Sequence, residues 1–167
     1  MSKVIALIYA DKKIPAEIYA EAQRLQSQGR IDLIDVTEIT VKDNGKIKFE
    51  QGMTLPLIGC SSGLFLPAFV GLIFFHPHYM ANDNVQKMLQ DISLDQNFIR
   101  VLSREVLPRN SVLFLYLRNQ NTSQIAAAMT RHGGRVAEIS LMAGQEEKLH
   151  RLFRGKPLPD PQHTMNI

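Results

Sequence analysis

The sequence predicts an α+β fold, a ferredoxin-like split βαβ sandwich with an apolar, glycine-striped helical insertion between the second and third core strands. Two observations predict the sandwich: the order strand, helix, Gly-Arg, strand occurs in residues 4–39, and it recurs in residues 112–141. Two such units form one sheet with helices on one face. The third observation is that residues 51–82 contain no Asp, Glu, Lys or Arg, which sets this stretch apart as the insertion.

Length and composition are those of one globular core with an embellishment. The chain has 167 residues, of which 45% are hydrophobic and 21% charged, so wholesale disorder is excluded. We therefore assign residues 1–50 and 108–153 to the ferredoxin-like domain. Residues 51–107 form the predicted insertion, with an apolar segment at 53–75 and connecting helices. The proline-rich residues 154–167 are predicted to form a flexible tail.

The N-terminal elements follow from local residue patterns. Residues 4–9 are rich in Val, Ile and Tyr, which is typical of a buried strand. Pro15 opens a helix whose apolar residues recur at helical spacing until Gly29, a residue type that ends helices in the left-handed conformation. Residues 31–51 place apolar side chains among polar ones around an Asp-Asn-Gly turn at residues 43–45, which predicts a β-hairpin.

The second half is predicted to alternate helices and strands. The run SVLFLYL at residues 111–117 is the most apolar strand candidate, so it is the predicted central strand. Gly133 and Gly134 are predicted to end the helix that Thr122 caps. The remaining predicted elements are helices at residues 84–90, 95–107 and 145–153 and a last strand at 136–141.

Residues 53–75 form a 23-residue apolar run. A helix of that length rises ~1.5 Å per residue and would just cross a hydrocarbon core of ~30 Å, so the run is predicted as a transmembrane helix. Pro56 and Pro67 each remove a backbone donor, and a kink or break is expected at Pro67. A re-entrant hairpin, a buried oligomer interface and a hydrophobic core of its own fit the same residues.

Small residues within this run recur at steps of four. Gly59, Gly63, Pro67 and Gly71 would share one face of a helix, and Gly59 and Gly63 form a GxxxG pair. Such a face allows two helices to approach closely. We therefore predict that these four residues form a helix-packing and oligomerisation site, a glycine zipper.

Candidate chemical groups are few. His76 and His78 flank a proline, but two histidines without a neighbouring Cys or carboxylate form an incomplete metal site. Cys60 has apolar neighbours, which favour an inert thiol, and as the only cysteine it fits a reducing compartment. Phosphate loops, dinucleotide fingerprints and nucleophile elbows are not found in the sequence. The sequence therefore predicts no enzyme, no cofactor and no metal site.

Charge is unevenly distributed along the chain. The net charge is +3, and residues 100–156 hold ten Lys and Arg against four Asp and Glu. Such a basic half could face anionic lipid. It lacks the dense Lys and Arg runs interleaved with aromatic residues that nucleic-acid modules carry, so no nucleic-acid partner is predicted. Asp32, Asp35 and Glu38 are interpreted as strand-edge charges that maintain solubility.

Four segments carry a family resemblance: IDLIDVTEITVKDNGKIKFEQ, GLIFFHP, DQNFIRVLSREVLPRNSVLFLYLR and GGRVAEISL. Over nearly all of residues 1–153, the chain resembles bacterial predicted membrane proteins of unknown function in which a ferredoxin-like domain carries a glycine-rich hydrophobic hairpin, a DUF1269-like family. The resemblance implies membrane association and no known enzymatic role. The chain departs from the family pattern after His76, where the returning leg is short and polar, which favours a re-entrant, kinked or oligomer-buried segment.

Two functional hypotheses follow. In the first, the chain is a non-enzymatic, membrane-associated protein with its folded domain on the cytoplasmic side, and it self-assembles on membrane lipid through the glycine-striped segment. In the second, it is a cytoplasmic, soluble homo-oligomer that buries the apolar segment at its interface, with space for an apolar ligand between the copies. Both hypotheses predict a homo-oligomer.

Overall fold

The computed structural model of the chain describes residues 1–10, 14–50, 65–74, 87, 90–118, 123, 125, 127 and 131–153. They form an α+β fold in which helices pack on both faces of a five-stranded antiparallel sheet. The elements are β1 (Ser2–Tyr9), α1 (Ile14–Ser27), β2 (Leu33–Val41), β3 (Ile47–Phe49), α2 (Phe65–Phe74), α3 (Gln96–Glu105), β4 (Ser111–Arg118), β5 (Arg135–Leu141) and α4 (Ala143–Phe153). Residues 90–92, 123, 125 and 127 are helical as well.

The sheet has the strand order β3-β2-β4-β1-β5, and each strand is antiparallel to its neighbours. β4 lies in the middle, between β2 and β1, which confirms the central position that its apolar sequence predicted. A β-bulge shifts the pairing of β2 with β4 between Leu33 and Asp35. β3 and β5 form the two edges of the sheet.

Glycines end the elements at the predicted positions. Gly29 after α1, Gly45 in the β2–β3 turn and Gly133 before β5 have φ angles of +66°, +78° and +70°. Glycine adopts this left-handed backbone without the steric cost that a Cβ atom would add. The structure therefore confirms the predicted hairpin and the end of the first helix, and it places the start of α1 one residue before Pro15.

Two apolar cores lie on opposite faces of the sheet. One core contains α1 and Ile125 on the face that Leu7 and Leu113 form. The other core contains α2, α3 and α4 on the face that Ala6 and Phe114 form. Because helices cover both faces, successive residues of a strand are buried whichever way they point, and all nine residues of β2 are buried.

The prediction of a transmembrane helix is wrong. α2, the part of the apolar run that the structure describes, has ten residues and is therefore about 15 Å long, half of a hydrocarbon core. Within the described ranges, no helix combines the length and the apolar character that crossing a membrane requires. Seven of the ten residues are buried. Five of these seven belong to the core of the second sheet face: Phe65, Leu66, Phe69, Val70 and Leu72. Burial within the chain accounts for their hydrophobicity.

Pro67 occupies the third position of α2. An N–H group in the first turn of a helix has no intrahelical acceptor, so proline removes no hydrogen bond there. The kink or break expected at Pro67 stays a prediction. Residues 154–167, the predicted tail, lie outside the described residues.

Candidate functional site

The predicted packing residues fall on α2 only in part. Pro67 and Gly71 lie one turn apart in α2, where Gly71 is buried and Pro67 is half-buried. Gly59 and Gly63 lie outside the described residues, as do Cys60, His76 and His78. α2 is therefore the element around which the candidate site is built, and we define the α2 site as α2 with Asp35, Tyr116, Glu146 and His150.

Phe65 anchors the first turn of α2 in a cluster of aromatic rings. Its ring centroid lies 4.7 Å from that of Tyr116 on β4 and 4.5 Å from that of His150 on α4. Phe153 packs edge-on at 5.6 Å. Aromatic pairs at these separations stabilise a contact beyond the area that they bury. The cluster joins α2, the central strand and the C-terminal helix α4.

Glu146 links α4 to the sheet. The hydroxyl of Tyr116 donates a hydrogen bond to Oε1 of Glu146, and the hydroxyl of Ser2 donates to Oε2 at 3.0 Å. Glu146 lies in the first turn of α4, where the helix dipole favours a carboxylate. Both oxygens are thus held by donors from two different strands, which fixes the position of α4 over the aromatic cluster.

Asp35 places a carboxyl group under the first turn of α2. The residue is 5% exposed and lies opposite Tyr116 in the register of β2 and β4. Its Oδ1 accepts a hydrogen bond from the backbone N–H of Val36 at 2.8 Å, and no described residue donates to Oδ2. Burial raises the pKa of Asp35 to about 6, although the backbone N–H groups of Val36 and Leu66 act to lower it.

The interpretation of Asp35 and Glu38 as exposed edge charges is wrong. Both are more than nine-tenths buried, because helices cover both faces of the sheet. Burial raises the pKa of Glu38, and the neighbouring carboxylate of Glu50 raises it further. Asp32 is exposed as expected and lies 3.9 Å from Arg118. Two of the three acids are therefore interior groups.

A row of polar residues crosses the face of the sheet that α1 covers. Tyr9, Ser111 and Thr40 are successive cross-strand partners on β1, β4 and β2. No described residue bonds the hydroxyls of Tyr9 and Ser111, and burial raises the pKa of Tyr9 to about 12. Thr40 donates to Glu50 at 2.9 Å. This row lies on the face opposite the α2 site.

A surface cavity of about 340 Å³ lies at the β2–β3 turn and is lined by Val41, Lys42, Asp43 and Asn44. Arg109, which has a φ angle of +71°, pairs with Asp43 at 2.8 Å beside it. The cavity holds one carboxylate that already has a cationic partner. We assign it no role in the α2 site.

The α2 site has the character of a packing site. Its groups are apolar side chains, the rings of Tyr116 and His150, one buried carboxyl and one carboxylate held by two hydroxyls. The described part of the chain contains no group of three or more His, Cys, Asp or Glu that could hold a metal ion. The fold and the site thus define an α+β domain that buries an apolar helix on its sheet.

The chain belongs to the family described as protein of unknown function (DUF1269), whose sequence pattern matches residues 60–154. The match includes α2, α3, β4, β5 and α4. No curated protein and no solved structure matches the chain.

Sequence reasoning missed Tyr116 and Glu146. Tyr116 lies within an apolar strand, and a buried tyrosine hydroxyl usually has a hydrogen-bond partner, so a distant acceptor was to be expected. The sequence contains no signal for which of the 16 acidic residues that acceptor is. The pairing of β1 with β4 and the packing of α4 determine it.

Proposed function

We propose that the chain is a non-catalytic, homo-oligomeric protein in which the outer side of α2 packs against a second copy. The observation that carries this proposal is the composition of α2. None of its ten residues is polar, and Pro67, Ile73 and Phe74 are only half-buried within one chain. Surface helices of globular proteins carry polar residues on their outer face, whereas an apolar outer face is typical of a contact.

One side of α2 carries the small residues that close packing needs. Pro67, Gly71 and Phe74 share this side, on which Pro67 is half-buried, Gly71 is buried and Phe74 also packs edge-on against Phe114 of β4. Gly71 has no side chain, which allows the backbone of a second helix to approach. In the sequence, Gly59 and Gly63 continue the same spacing towards the N-terminus. The proposed contact therefore uses Pro67 and Gly71, the two residues of the predicted glycine stripe that lie in α2.

We further propose that the fold is a ferredoxin-like sandwich with an added helical layer. The order β2-β4-β1-β5 of the four long antiparallel strands supports this arrangement. So do the two crossovers, since α1 connects β1 to β2, and helical residues at 123, 125 and 127 lie between β4 and β5. α1 and Ile125 pack in one core. The added layer is then the insertion that contains α2.

A cytoplasmic location fits the proposed oligomer best, because a single cysteine is typical of proteins from reducing compartments. This is the second of the two hypotheses drawn from the sequence. The space for an apolar ligand between the copies stays a prediction.

The experiment compares Pro67→Gln with Ala16→Gln by size-exclusion chromatography with light scattering in detergent-free buffer. The two residues occupy the third position of α2 and of α1, and Ala16 is exposed. Gln at either position is compatible with a first helical turn. We expect the parent chain and Ala16→Gln to form the same oligomer and Pro67→Gln to shift towards the monomer. A monomeric parent, or a Pro67→Gln variant that assembles like the parent, would contradict the proposal.

A further inference from the structure

β5 is the edge strand at the end of the sheet away from β2 and α2. It pairs with β1, and no backbone hydrogen bond among the described residues uses its outer edge. Ala137, Ile139 and Leu141 are buried on the sheet face that α2, α3 and α4 cover. Val136, Glu138 and Ser140 are exposed. An open edge of this length is a template for pairing with another strand.

Exposed apolar side chains concentrate at this edge. In the described part of the chain four large apolar residues are exposed, and three of them lie on or beside β5: Met1, Val136 and Met142. Met142 follows the last residue of β5, and Met1 precedes Ser2, the β1 partner of Leu141. Solvent-exposed apolar groups at both ends of an edge strand indicate a contact surface.

The charge pattern of β5 selects a second copy of the same strand in one register. When two copies of a strand pair antiparallel about a two-fold axis, directly opposed side chains lie on the same face, so the axis passes through a residue. Three registers pair at least five residues of β5, and they centre on Ala137, Glu138 or Ile139. Centring on Glu138 opposes two carboxylates, and centring on Ala137 opposes Glu138 to Val136; both are unfavourable.

Of the three registers, only the one centred on Ile139 opposes neither two carboxylates nor Glu138 to Val136. It opposes Val136 to Met142 of the second copy and Glu138 to Ser140 of the second copy, and the symmetry repeats each pair. Glu138 also keeps Lys3, which lies 3.6 Å away within its own chain. The apolar residues at the two ends of the strand thus cover each other, and no like charges meet.

We propose that β5 pairs antiparallel with β5 of a second copy, centred on Ile139, so that two sheets join into one. This contact is separate from the proposed contact through α2 and does not depend on it. The proposed partner of this edge is a second copy of the same chain, because the arrangement of Val136, Glu138, Ser140 and Met142 is self-complementary.

The test is a pair of substitutions at one residue, Ser140→Glu and Ser140→Lys, with the dimer dissociation constant measured by sedimentation equilibrium. In the proposed register, Glu at 140 faces Glu138 of the second copy twice, and Lys at 140 forms an opposite-charge pair twice. We expect Ser140→Glu to raise the dissociation constant about tenfold and Ser140→Lys to lower it by a similar factor.

The effects of the two substitutions on the stability of a single chain are expected in the opposite order to their effects on the dimer. This difference serves as an internal control. Ser140 lies opposite Lys3 on β1, so Glu at 140 is the favourable substitution within the monomer and Lys the unfavourable one. Equal dissociation constants for the parent and both variants, or a weakening by both, would overturn the proposal. An oligomer that Pro67→Gln dissociates while both Ser140 variants leave it unchanged would retain the α2 contact alone, and the reverse pattern would retain the β5 contact alone.

Discussion

The carboxyl group of Asp35 lies buried at the bulge of β2, beneath the first turn of α2, with one oxygen hydrogen-bonded and the other unpaired among the described residues. A carboxylate in such a place loses its hydration without full replacement, so the protonated form is favoured. In the folded protein the group therefore binds a proton at a pH where the unfolded chain has released it. This difference makes the stability of the fold dependent on pH.

We expect Asp35→Asn to become more stable than the parent chain as the pH rises from about 4 to 7. The pKa of Asp35 is raised from 3.8 to about 6 in the folded state, so the stabilisation from its bound proton is present below about pH 4 and is lost as the pH rises through 6. A shift of this size corresponds to about 3 kcal/mol. Urea unfolding of parent and variant across this pH range measures the difference, and parallel curves would contradict the buried position. Asp32→Asn, on an exposed neighbour, is the control.

Gly134 lies against the ring of Tyr9, and its lack of a side chain is what allows this contact. A Cβ atom at residue 134 would lie 2.1 Å from Cε1 of Tyr9, and Tyr9 is 2% exposed. We expect Gly134→Ala to reduce the free energy of unfolding by about 1–3 kcal/mol, because a buried ring has little room to move. At Gly144 in α4 a Cβ atom would meet nothing within 4 Å. Gly144→Ala should therefore leave stability unchanged or raise it, and equal effects of the two changes would contradict the contact.

At the scale of elements, α2 is the feature that most changes what the sequence indicates. Its apolar residues were compatible with a membrane span, an oligomer interface or a core, since all three environments select the same residue types. Which of the three environments applies depends on how many layers of helices cover the sheet. That number depends on how segments that are far apart in the sequence pack together. The strands, by contrast, were predictable because β4 has a long apolar run and because Gly29, Gly45 and Gly133 mark three of the turns.

The difference between local spacing and long-range packing also explains which candidate residues could be predicted. Pro67 and Gly71 were selected because their spacing along the chain is local, and their role in packing against a second copy stays a prediction. Asp35 was misinterpreted, since its strand was assumed to face solvent on one side, and the α2, α3 and α4 layer that buries it is not evident from the spacing of polar residues along β2. Spacing along the chain predicts faces of elements, but not what covers them.

We expect Leu66→Ala in α2 to lower the free energy of unfolding by about 2–5 kcal/mol, because it removes a buried side chain from the core and leaves a cavity. Leu66 is fully buried, whereas Leu107 is 57% exposed. The same substitution at Leu107 should change stability by no more than about 0.5 kcal/mol. Chemical denaturation of both variants measures the effects. If Leu66→Ala proved as mild as Leu107→Ala, α2 would not be part of the folded core.

At the scale of the whole molecule, two surfaces of one chain offer contacts to further copies. The outer side of α2 lies in the helical layer on one face of the sheet, and the open edge of β5 lies at the end of the strand order. The first contact is apolar and helical, and the second is a strand pairing with a register set by charge. Both contacts are proposals, and each of them would join copies of this chain into an assembly.

The molar mass of the purified chain in detergent-free buffer, measured by light scattering across a dilution series, tests the central claim of self-assembly most directly. One chain has a mass of 18.9 kDa. We expect a mass that is a whole-number multiple of this value at high concentration and that falls towards the mass of one chain on dilution. A mass of one chain at every concentration would contradict it.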